Sequence, residues 1–325
     1  MPELALAEAL PGAGDGLRGR DFLRVDDLDA GELDAVLDLA DRLKALQRDR
    51  VPHPLLAGRT LAMIFEKPST RTRVSFEVGM AQLGGHAVHL DAGSSQLGRG
   101  EPIADTGAVL GGYVDAIMIR THAHARVEEL AAAASVPVVN GLTDDHHPCQ
   151  ALADLQVLRE RLGALEGRRL AWVGDGRNNV CHSLITAAAL AGMELVVASP
   201  DGYAPDPDVV DAAAAPVELL EDPAAAVAGA DAVVTDTWTS MGQEDERARR
   251  LHDLAPYQVN AGLLAGAAPG HVVLHCLPAH CGEEITHEVL WGPSSAVWDE
   301  AENRLHAQKA LLAMVVEYVR EGTGV

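Results

Sequence analysis

Short apolar runs alternate with helical patterns along most of the chain. The first four runs are LAMIF (61–65), HAVHL (86–90), DAIMIR (115–120) and VPVVN (136–140). A second series consists of LAWVG (170–174), ELVVAS (194–199), DAVVTD (231–236) and HVVLHC (271–276). The second series is rich in Val and apolar on both faces, as in parallel sheets covered by helices. The pattern predicts an α/β protein with two doubly wound parallel-sheet domains.

Three longer segments have apolar residues at helical spacing. They lie near residues 30–48, across HPCQALADLQVLRERLGALEGRR, and over residues 299–322 at the end of the chain. The middle segment ends at Gly163, a typical residue just beyond a helix. We therefore expect it to join the two domains, and the last helix to pack back on the first domain.

Polar clusters recur where predicted strands end. STRTR follows LAMIF, Arg120 closes DAIMIR, GDGRNN follows LAWV, DTWTSMG follows AVVT, and HCLP follows HVVL. Open α/β sheets bind ligands at the carboxyl ends of their strands. We therefore predict a ligand-binding cleft between the two domains.

Charge and composition narrow the classes of partner. The 325 residues carry 48 acidic and 25 basic side chains, a net charge of −23, which disfavours nucleic acid and anionic membranes. No apolar stretch approaches the roughly 20 residues of a membrane span, and the N-terminus lacks the pattern of a signal peptide. Four scattered cysteines are too few for a disulfide framework. We expect a cytoplasmic protein with free thiols.

STRTR has the composition of a phosphate site. Ser69 suits a helix cap, and the helix then presents Val74, Val78 and Ala81 on one face. Backbone N–H groups, hydroxyls and a guanidinium would meet at the first turn. A capped helix with surface arginines is the alternative, and the pattern is not a Walker loop.

Four further clusters carry candidate chemistry. His147 and Gln150 of HHPCQ would lie in one helical turn, where His147 could donate to a carbonyl oxygen. GDGRNN lacks the third glycine of a dinucleotide-binding loop, which counts against a nicotinamide dehydrogenase. Asp236 could pair with a substrate ammonium. HCLPAHC could suggest zinc, but its spacing matches no common finger, so no metal is expected.

Taken in order, STRTR, HPCQ, GDGRNN, DxxxSMG and HCLP resemble the ornithine carbamoyltransferases, from about Asp21 to the last helix. The resemblance implies a carbamoyl phosphate-binding domain over 1–148, completed by helix 300–325, and an ornithine-binding domain over 149–299. It implies transfer of the carbamoyl group of carbamoyl phosphate to the δ-amino group of L-ornithine, giving citrulline and phosphate with no cofactor. The reaction could run toward citrulline for arginine biosynthesis or backward for catabolism. N-acetylornithine, putrescine and lysine remain alternative acceptors, and a non-catalytic relative is a further alternative.

The resemblance also assigns residues by motif. The carbamoyl phosphate ligands are Ser69, Thr70, Arg71, Thr72, Arg120, His147, Gln150 and Arg304. The ornithine side consists of Asn179, Asp236, Ser240, Met241, Cys276 and Leu277. The implied catalytic residues are Arg71, Thr72, Arg120, His147, Asp236 and Cys276. Gln96 is expected to reach a neighbouring subunit's site in a homotrimer. Cys281 departs from the family, which commonly has a basic residue there.

Overall fold

The computed structural model describes residues 16–239 and 244–316, which form two α/β units. Of these residues, the first unit takes those up to Leu152 and those from Asn303 onward, and the second takes Ala153–Glu302. Each unit has one sheet whose paired strands all run parallel, with helices between them along the chain. The predicted α/β class with two parallel-sheet domains is confirmed.

The sheet of the first unit has the strand order β2-β1-β3-β4. Its strands are β1 (Thr60–Phe65), β2 (His86–Asp91), β3 (Ala116–Arg120) and β4 (Val138–Leu142). The helices placed along this part of the chain are α1 (Ala30–Arg48), α2 (Thr70–Gln82), α3 (Ile103–Leu110) and α4 (His124–Ala133). The central strands β1 and β3 are almost entirely buried, whereas β2 at the edge is largely exposed to half-buried.

The sheet of the second unit has the strand order β7-β6-β5-β8-β9. Its strands are β5 (Arg169–Val173), β6 (Glu194–Ala198), β7 (Val217–Leu220), β8 (Ala232–Val234) and β9 (Val272–Leu274). Its shorter helices are α6 (Asn179–Leu190), α7 (Pro207–Ala212), α8 (Pro223–Val227), α9 (Arg247–Leu254), α10 (Ala261–Leu264) and α11 (His287–Leu290). The sequence analysis missed β7, because this edge strand reads VELL and lacks a continuous apolar run.

Two long helices contain residues of both units. Helix α5 covers Pro148–Leu162 and ends at Gly163, whose φ of 84° lies in the left-handed region that favours glycine. Helix α12 covers Val297–Val315, so the predicted terminal helix begins two residues earlier than expected. The part of that prediction beyond residue 316 lies outside the described residues. Within the described ranges, every helix falls short of the length and apolar character that crossing a membrane requires.

The face of α2 that carries Val74, Val78 and Ala81 is turned outward. Val74 is 50% exposed and Val78 is 38% exposed, while Phe76 and Met80 of the same helix are buried. The apolar spacing therefore identified a real face of the helix, but a second face packs on the sheet.

Buried basic side chains lie on helix α12 and beside it. Lys309 Nζ donates to Gln82 Oε1 over 2.8 Å and lies 3.2 Å from His53 Nε2. Lys44 Nζ donates to Asn303 Oδ1 over 2.6 Å. Burial lowers the pKa of Lys309 from its usual 10.5 to about 8. The first unit thus holds its last helix partly through lysines bonded to neutral partners.

This pKa shift predicts how stability changes with pH. Below pH 8 the folded protein bears the cost of a buried charged Lys309. As pH rises from about 8 to 10.5, the folded state loses that proton before the unfolded state does, so Lys309 destabilises the fold less. The stability of wild-type protein relative to Lys309→Met should therefore rise over this range. Urea unfolding of both proteins at about pH 7 and pH 10 measures the difference; an unchanged or falling difference would contradict the shift.

Candidate functional site

The first turn of α2 forms the base of one half-site. Ser69 caps the helix, and its Oγ accepts from the backbone N–H of Thr72 over 3.3 Å. Ser69 and Thr72 are also joined through their hydroxyl groups at 3.1 Å. Thr72 is buried, whereas Thr70 and Arg71 are exposed at the same turn. Hydroxyls, a guanidinium and the positive end of the helix dipole therefore lie together, as an anion site requires.

Arg120 reaches this turn because strands β1 and β3 are parallel and in register. Phe65, the last residue of β1, pairs with Arg120, the last residue of β3. Arg120 Nη1 lies 3.5 Å from Thr72 Oγ1, at the outer limit of a hydrogen bond. The predicted grouping of Arg120 with STRTR at one sheet edge is therefore present.

His147 and Gln150 flank the start of α5 and are both buried. Burial lowers the pKa of His147 well below its usual value, and the charges of Arg304, Arg120 and Arg71 lower it further. The imidazole is therefore neutral at physiological pH. A neutral imidazole can donate one hydrogen bond to a carbonyl oxygen without changing its protonation state.

Arg304 joins this group from helix α12. Its Nη1 donates to Gln150 Oε1 over 2.7 Å. Among the charged side chains that lower the pKa of His147, Arg304 has the largest effect. The first unit thus brings together the residues predicted to bind carbamoyl phosphate: Ser69, Thr70, Arg71, Thr72, Arg120, His147, Gln150 and Arg304. Gln96 lies exposed ahead of a short 3-10 turn, and among the described residues its side chain makes no hydrogen bond to this group.

Asp236 is the centre of a second half-site, in the other unit. It follows β8, as Cys276 follows β9, and these strands are parallel with Val234 paired to Leu274. Asp236 Oδ1 accepts from Cys276 Sγ over 3.0 Å, and Oδ2 accepts from Asn178 Nδ2 over 2.8 Å. The buried carboxylate is therefore held on both oxygens.

The two adjacent asparagines have different positions. Asn178 caps α6, accepting from the backbone N–H of Val180 over 2.7 Å, and also contacts Asp236. Asn179, the predicted ornithine ligand, is the first residue of the helix. The sequence analysis placed both in the turn but missed the bond from Asn178 to Asp236. Ser240 and Met241, also predicted, lie outside the described residues.

His275 was missed as a site residue, although it lies in the HCLP motif. Its Nε2 is 3.0 Å from Glu284 Oε1, and its Nδ1 accepts from the backbone N–H of Leu277 over 2.9 Å. Because Nδ1 accepts, the proton lies on Nε2 and is donated to Glu284. Leu277 has a φ of 60°, rare for a residue with a branched side chain, and this hydrogen bond stabilises that conformation. No sequence motif predicts the contact between His275 and Glu284, because it joins two buried residues that lie nine positions apart.

The thiol of Cys276 is protonated. Burial raises its pKa well above the usual value, and the neighbouring Asp236 raises it further. Glu300, which accepts from the backbone N–H of His275 over 2.9 Å, also has its pKa raised by burial and then by Asp154. Cys276 therefore acts here as a hydrogen-bond donor, and a thiolate nucleophile is disfavoured.

Among the residues that the structure describes, two groups could offer ligand atoms to a metal ion. Asp236, His275 and Cys276 place one donor atom each within 4.8 Å of one another, and so do His280, Glu283 and Glu284. In the first group, a cation would have to displace the hydrogen bonds from Leu277 to His275 and from Cys276 to Asp236. The ligand atoms of this first group therefore already take part in hydrogen bonds within the protein.

Comparison with known proteins finds two domain models of one family along the chain. Residues 20–160 match the carbamoyl phosphate-binding domain of aspartate/ornithine carbamoyltransferases, and residues 166–315 match the aspartate/ornithine-binding domain. The chain belongs to the aspartate/ornithine carbamoyltransferase family. Between them the two domain models account for nearly all of the described residues.

Individual members of the family are similar over almost their whole length. The ornithine carbamoyltransferase of Carboxydothermus hydrogenoformans is 56% identical over 306 residues, 92% of this chain and 98% of that protein. The ornithine carbamoyltransferase of Mycolicibacterium smegmatis is also 56% identical, over 92% of this chain and 99% of that protein. The Pyrococcus furiosus ornithine carbamoyltransferase structure has a TM-score of 0.89 and 52% identity, covering 94% of this chain and 99% of that one.

The state of the Cys276 thiol in this family member can be tested by alkylation. Cys149 and Cys181 are buried and Cys281 is exposed, so Cys281→Ser removes the exposed thiol. In that background we expect Cys276 to react slowly with iodoacetamide at about pH 7.5. Asp236→Asn removes the negative charge beside the thiol and should speed the reaction at Cys276, as read by peptide mass spectrometry. Equal rates with and without the Asp236 carboxylate would show that its charge does not hold the thiol protonated.

Proposed function

We propose that this chain transfers the carbamoyl group of carbamoyl phosphate to the δ-amino group of L-ornithine, giving citrulline and phosphate. The observation that carries the proposal is the presence of two dissimilar half-sites, one in each unit. One is an arginine-rich helix start with a neutral His147, and the other is a buried carboxylate, Asp236, held by Cys276 and Asn178. The names of the relatives that match over more than nine-tenths of the chain support the same reaction.

Carbamoyl phosphate fits the first half-site by charge. The phosphate would bind at Ser69, Thr70, Arg71 and Thr72, where hydroxyls and backbone N–H groups can surround a dianion. Arg120, His147 and Gln150 would hold the carbamoyl group. Because burial and the nearby arginines keep His147 neutral, it can donate to the carbonyl oxygen as negative charge develops there.

Ornithine fits the second half-site by the opposite charge. Asp236 would accept the substrate ammonium, and Asn179, Ser240, Met241 and Leu277 would contribute other contacts. In a chain of net charge −23, one buried carboxylate aimed by two hydrogen bonds is a more specific cation site than the acidic surface.

The reaction needs no covalent enzyme intermediate. The δ-amino group has a pKa of about 10.4 in water, so it must lose a proton before its lone pair attacks the carbonyl carbon. The tetrahedral intermediate places negative charge on the carbonyl oxygen, where Thr72, Arg120 and His147 can stabilise it. The C–O bond to phosphate then breaks with its electron pair on phosphate, which can take the excess proton. Holding both substrates in place lowers the barrier by several kcal/mol.

Two alternatives are less well supported. N-acetylornithine, putrescine or lysine would use the same carbamoyl phosphate site and differ only in how the acceptor is held. A non-catalytic relative is expected to have lost Arg71, His147 or Gln150, and all three are present. The free cysteines, including the exposed Cys281, support a reducing, cytoplasmic location.

We further propose a homotrimer with shared active sites. The first unit exposes apolar side chains that a second copy could cover: Val74, Val78, Val88, Val109 and Tyr113. Tyr113 is 76% exposed, unusual for an aromatic side chain without a polar role. Gln96 is also exposed on this unit, so a neighbouring subunit could reach it.

If Asp236 binds the ammonium group of ornithine, replacing it should weaken the use of ornithine more than that of carbamoyl phosphate. Purified wild-type protein should form citrulline from carbamoyl phosphate and ornithine, and faster than with the three alternative acceptors. Asp236→Asn should raise the KM for ornithine by tenfold or more, about 1.4 kcal/mol, and change that for carbamoyl phosphate much less. Asp231→Asn, which alters a carboxylate at the other end of β8, is the matched control. Absence of citrulline from the wild-type reaction, or equal effects on both KM values, would contradict the proposal.

Shared sites predict that two inactive variants restore each other. Arg71→Ala removes a ligand of a subunit's own site, whereas Gln96→Ala removes the residue given to the neighbour. Co-refolded mixtures should exceed the mean activity of the parents, because every mixed ring contains a junction with both residues intact. Variants refolded separately and then mixed are the control. If Gln96→Ala is severely impaired and mixtures still only match the mean, each subunit works alone.

A further inference from the structure

Gln308 lies one helical turn beyond Arg304 on the same face of α12. Residues four apart in an α-helix are neighbours along one side. Gln308 is 1% exposed and Arg304 is 5% exposed, so both side chains are buried. A buried carboxamide beside a buried guanidinium must satisfy hydrogen bonds that water cannot reach.

Gln308 holds two of the N–H groups of Arg304. Its Oε1 accepts from Arg304 Nε over 3.1 Å and from Nη2 over 2.9 Å. On the other side of the guanidinium, Nη1 donates to Gln150 Oε1 over 2.7 Å. The planar group is therefore fixed from both edges, and its plane cannot rotate without breaking a buried hydrogen bond.

The amide group of Gln308 also connects to helix α2. Its Nε2 donates to Ser75 Oγ over 2.8 Å, and Ser75 Oγ donates to the backbone oxygen of Thr72 over 3.2 Å. Because arginine only donates hydrogen bonds, Oε1 must face Arg304 and Nε2 must face Ser75. A single side chain thus links Arg304 to the turn that carries Thr72.

We infer that Gln308 is a positioning residue that orients Arg304 toward carbamoyl phosphate without placing a negative charge beside it. The inference rests on the proposed function, because it requires the Arg304 half-site to bind that anion. A carboxylate in place of Gln308 could hold the guanidinium equally well, but it would offset the charge that the dianion needs. A neutral carboxamide can orient the guanidinium of Arg304 without offsetting its positive charge.

Two substitutions separate orientation from charge. Gln308→Met removes the acceptor and nearly keeps the volume, so Arg304 keeps its charge and loses its orientation. Gln308→Glu keeps the acceptor and adds a negative charge. Gln82→Met is the matched control, because Gln82 accepts a hydrogen bond from Lys309 of the same helix, over 2.8 Å, in a different cluster.

Both Gln308 variants should raise the KM for carbamoyl phosphate at least tenfold and leave that for ornithine within about threefold. Gln308→Glu should melt within a few degrees of wild type or above it, so that its affinity falls while its stability does not. A residue with a purely structural role would change affinity only in step with stability. If Gln308→Met does not fold, Gln308→Glu alone provides this test.

Different results would contradict the role of Gln308 and the proposed function. A carbamoyl phosphate KM within twofold of wild type in the folded Gln308 variants would overturn the inference, as would an equal rise in Gln82→Met. In either case an active wild-type protein leaves the proposed function standing. Wild-type protein that neither forms citrulline nor binds inorganic phosphate by calorimetry would instead sink the proposed function itself.

Discussion

The parallel register of neighbouring strands is the constraint on which both half-sites depend. In the first unit, pairing Phe65 with Arg120 brings the residues after β1 next to the end of β3. In the second unit, pairing Val234 with Leu274 does the same for Asp236 and Cys276. Residues about 40 to 50 positions apart in the chain therefore become neighbours without any long loop.

Neutral hydrogen-bond partners recur around the buried charges of this protein. Arg304 is bonded to two carboxamides, Gln150 and Gln308, and Lys309 is bonded to Gln82. Such partners satisfy buried donors without adding negative charge beside them. In the first half-site, burial lowers the pKa of His147 most, and the charge of Arg304 lowers it further.

The fold was largely predictable from sequence because buried strands have a simple signature. The eight runs interpreted as strands all contain strands, since central parallel strands must be apolar on both faces. The edge strand β7 was missed because one of its faces is solvated and carries Glu218. The outward valines of α2 show the same limit, since periodicity identifies an apolar face without saying what covers it.

Side chains that lie in compact motifs and that the structure groups within a unit were named from sequence: Ser69, Thr72, Arg120, His147, Gln150, Arg304, Asp236 and Cys276. Their roles in binding stay predictions, but their positions were recognised. The partners that orient them were not, because Glu284, Gln308 and Asn178 meet their targets through tertiary contacts with no fixed spacing in sequence. Positioning residues are chosen by geometry, and any residue with a suitable acceptor or donor can serve.

The discontinuous first unit has a consequence for protein synthesis. Its sheet is complete by Leu142, but the helix that carries Arg304 and covers Lys44 and His53 resumes this unit only at Asn303. The ribosome must first make Ala153–Glu302, which takes on the order of ten seconds or more at about 5–20 residues per second. During that interval the nascent first unit lacks the helix whose Asn303 and Lys309 lie against Lys44 and His53, so these buried side chains wait for their partners until the chain is nearly finished.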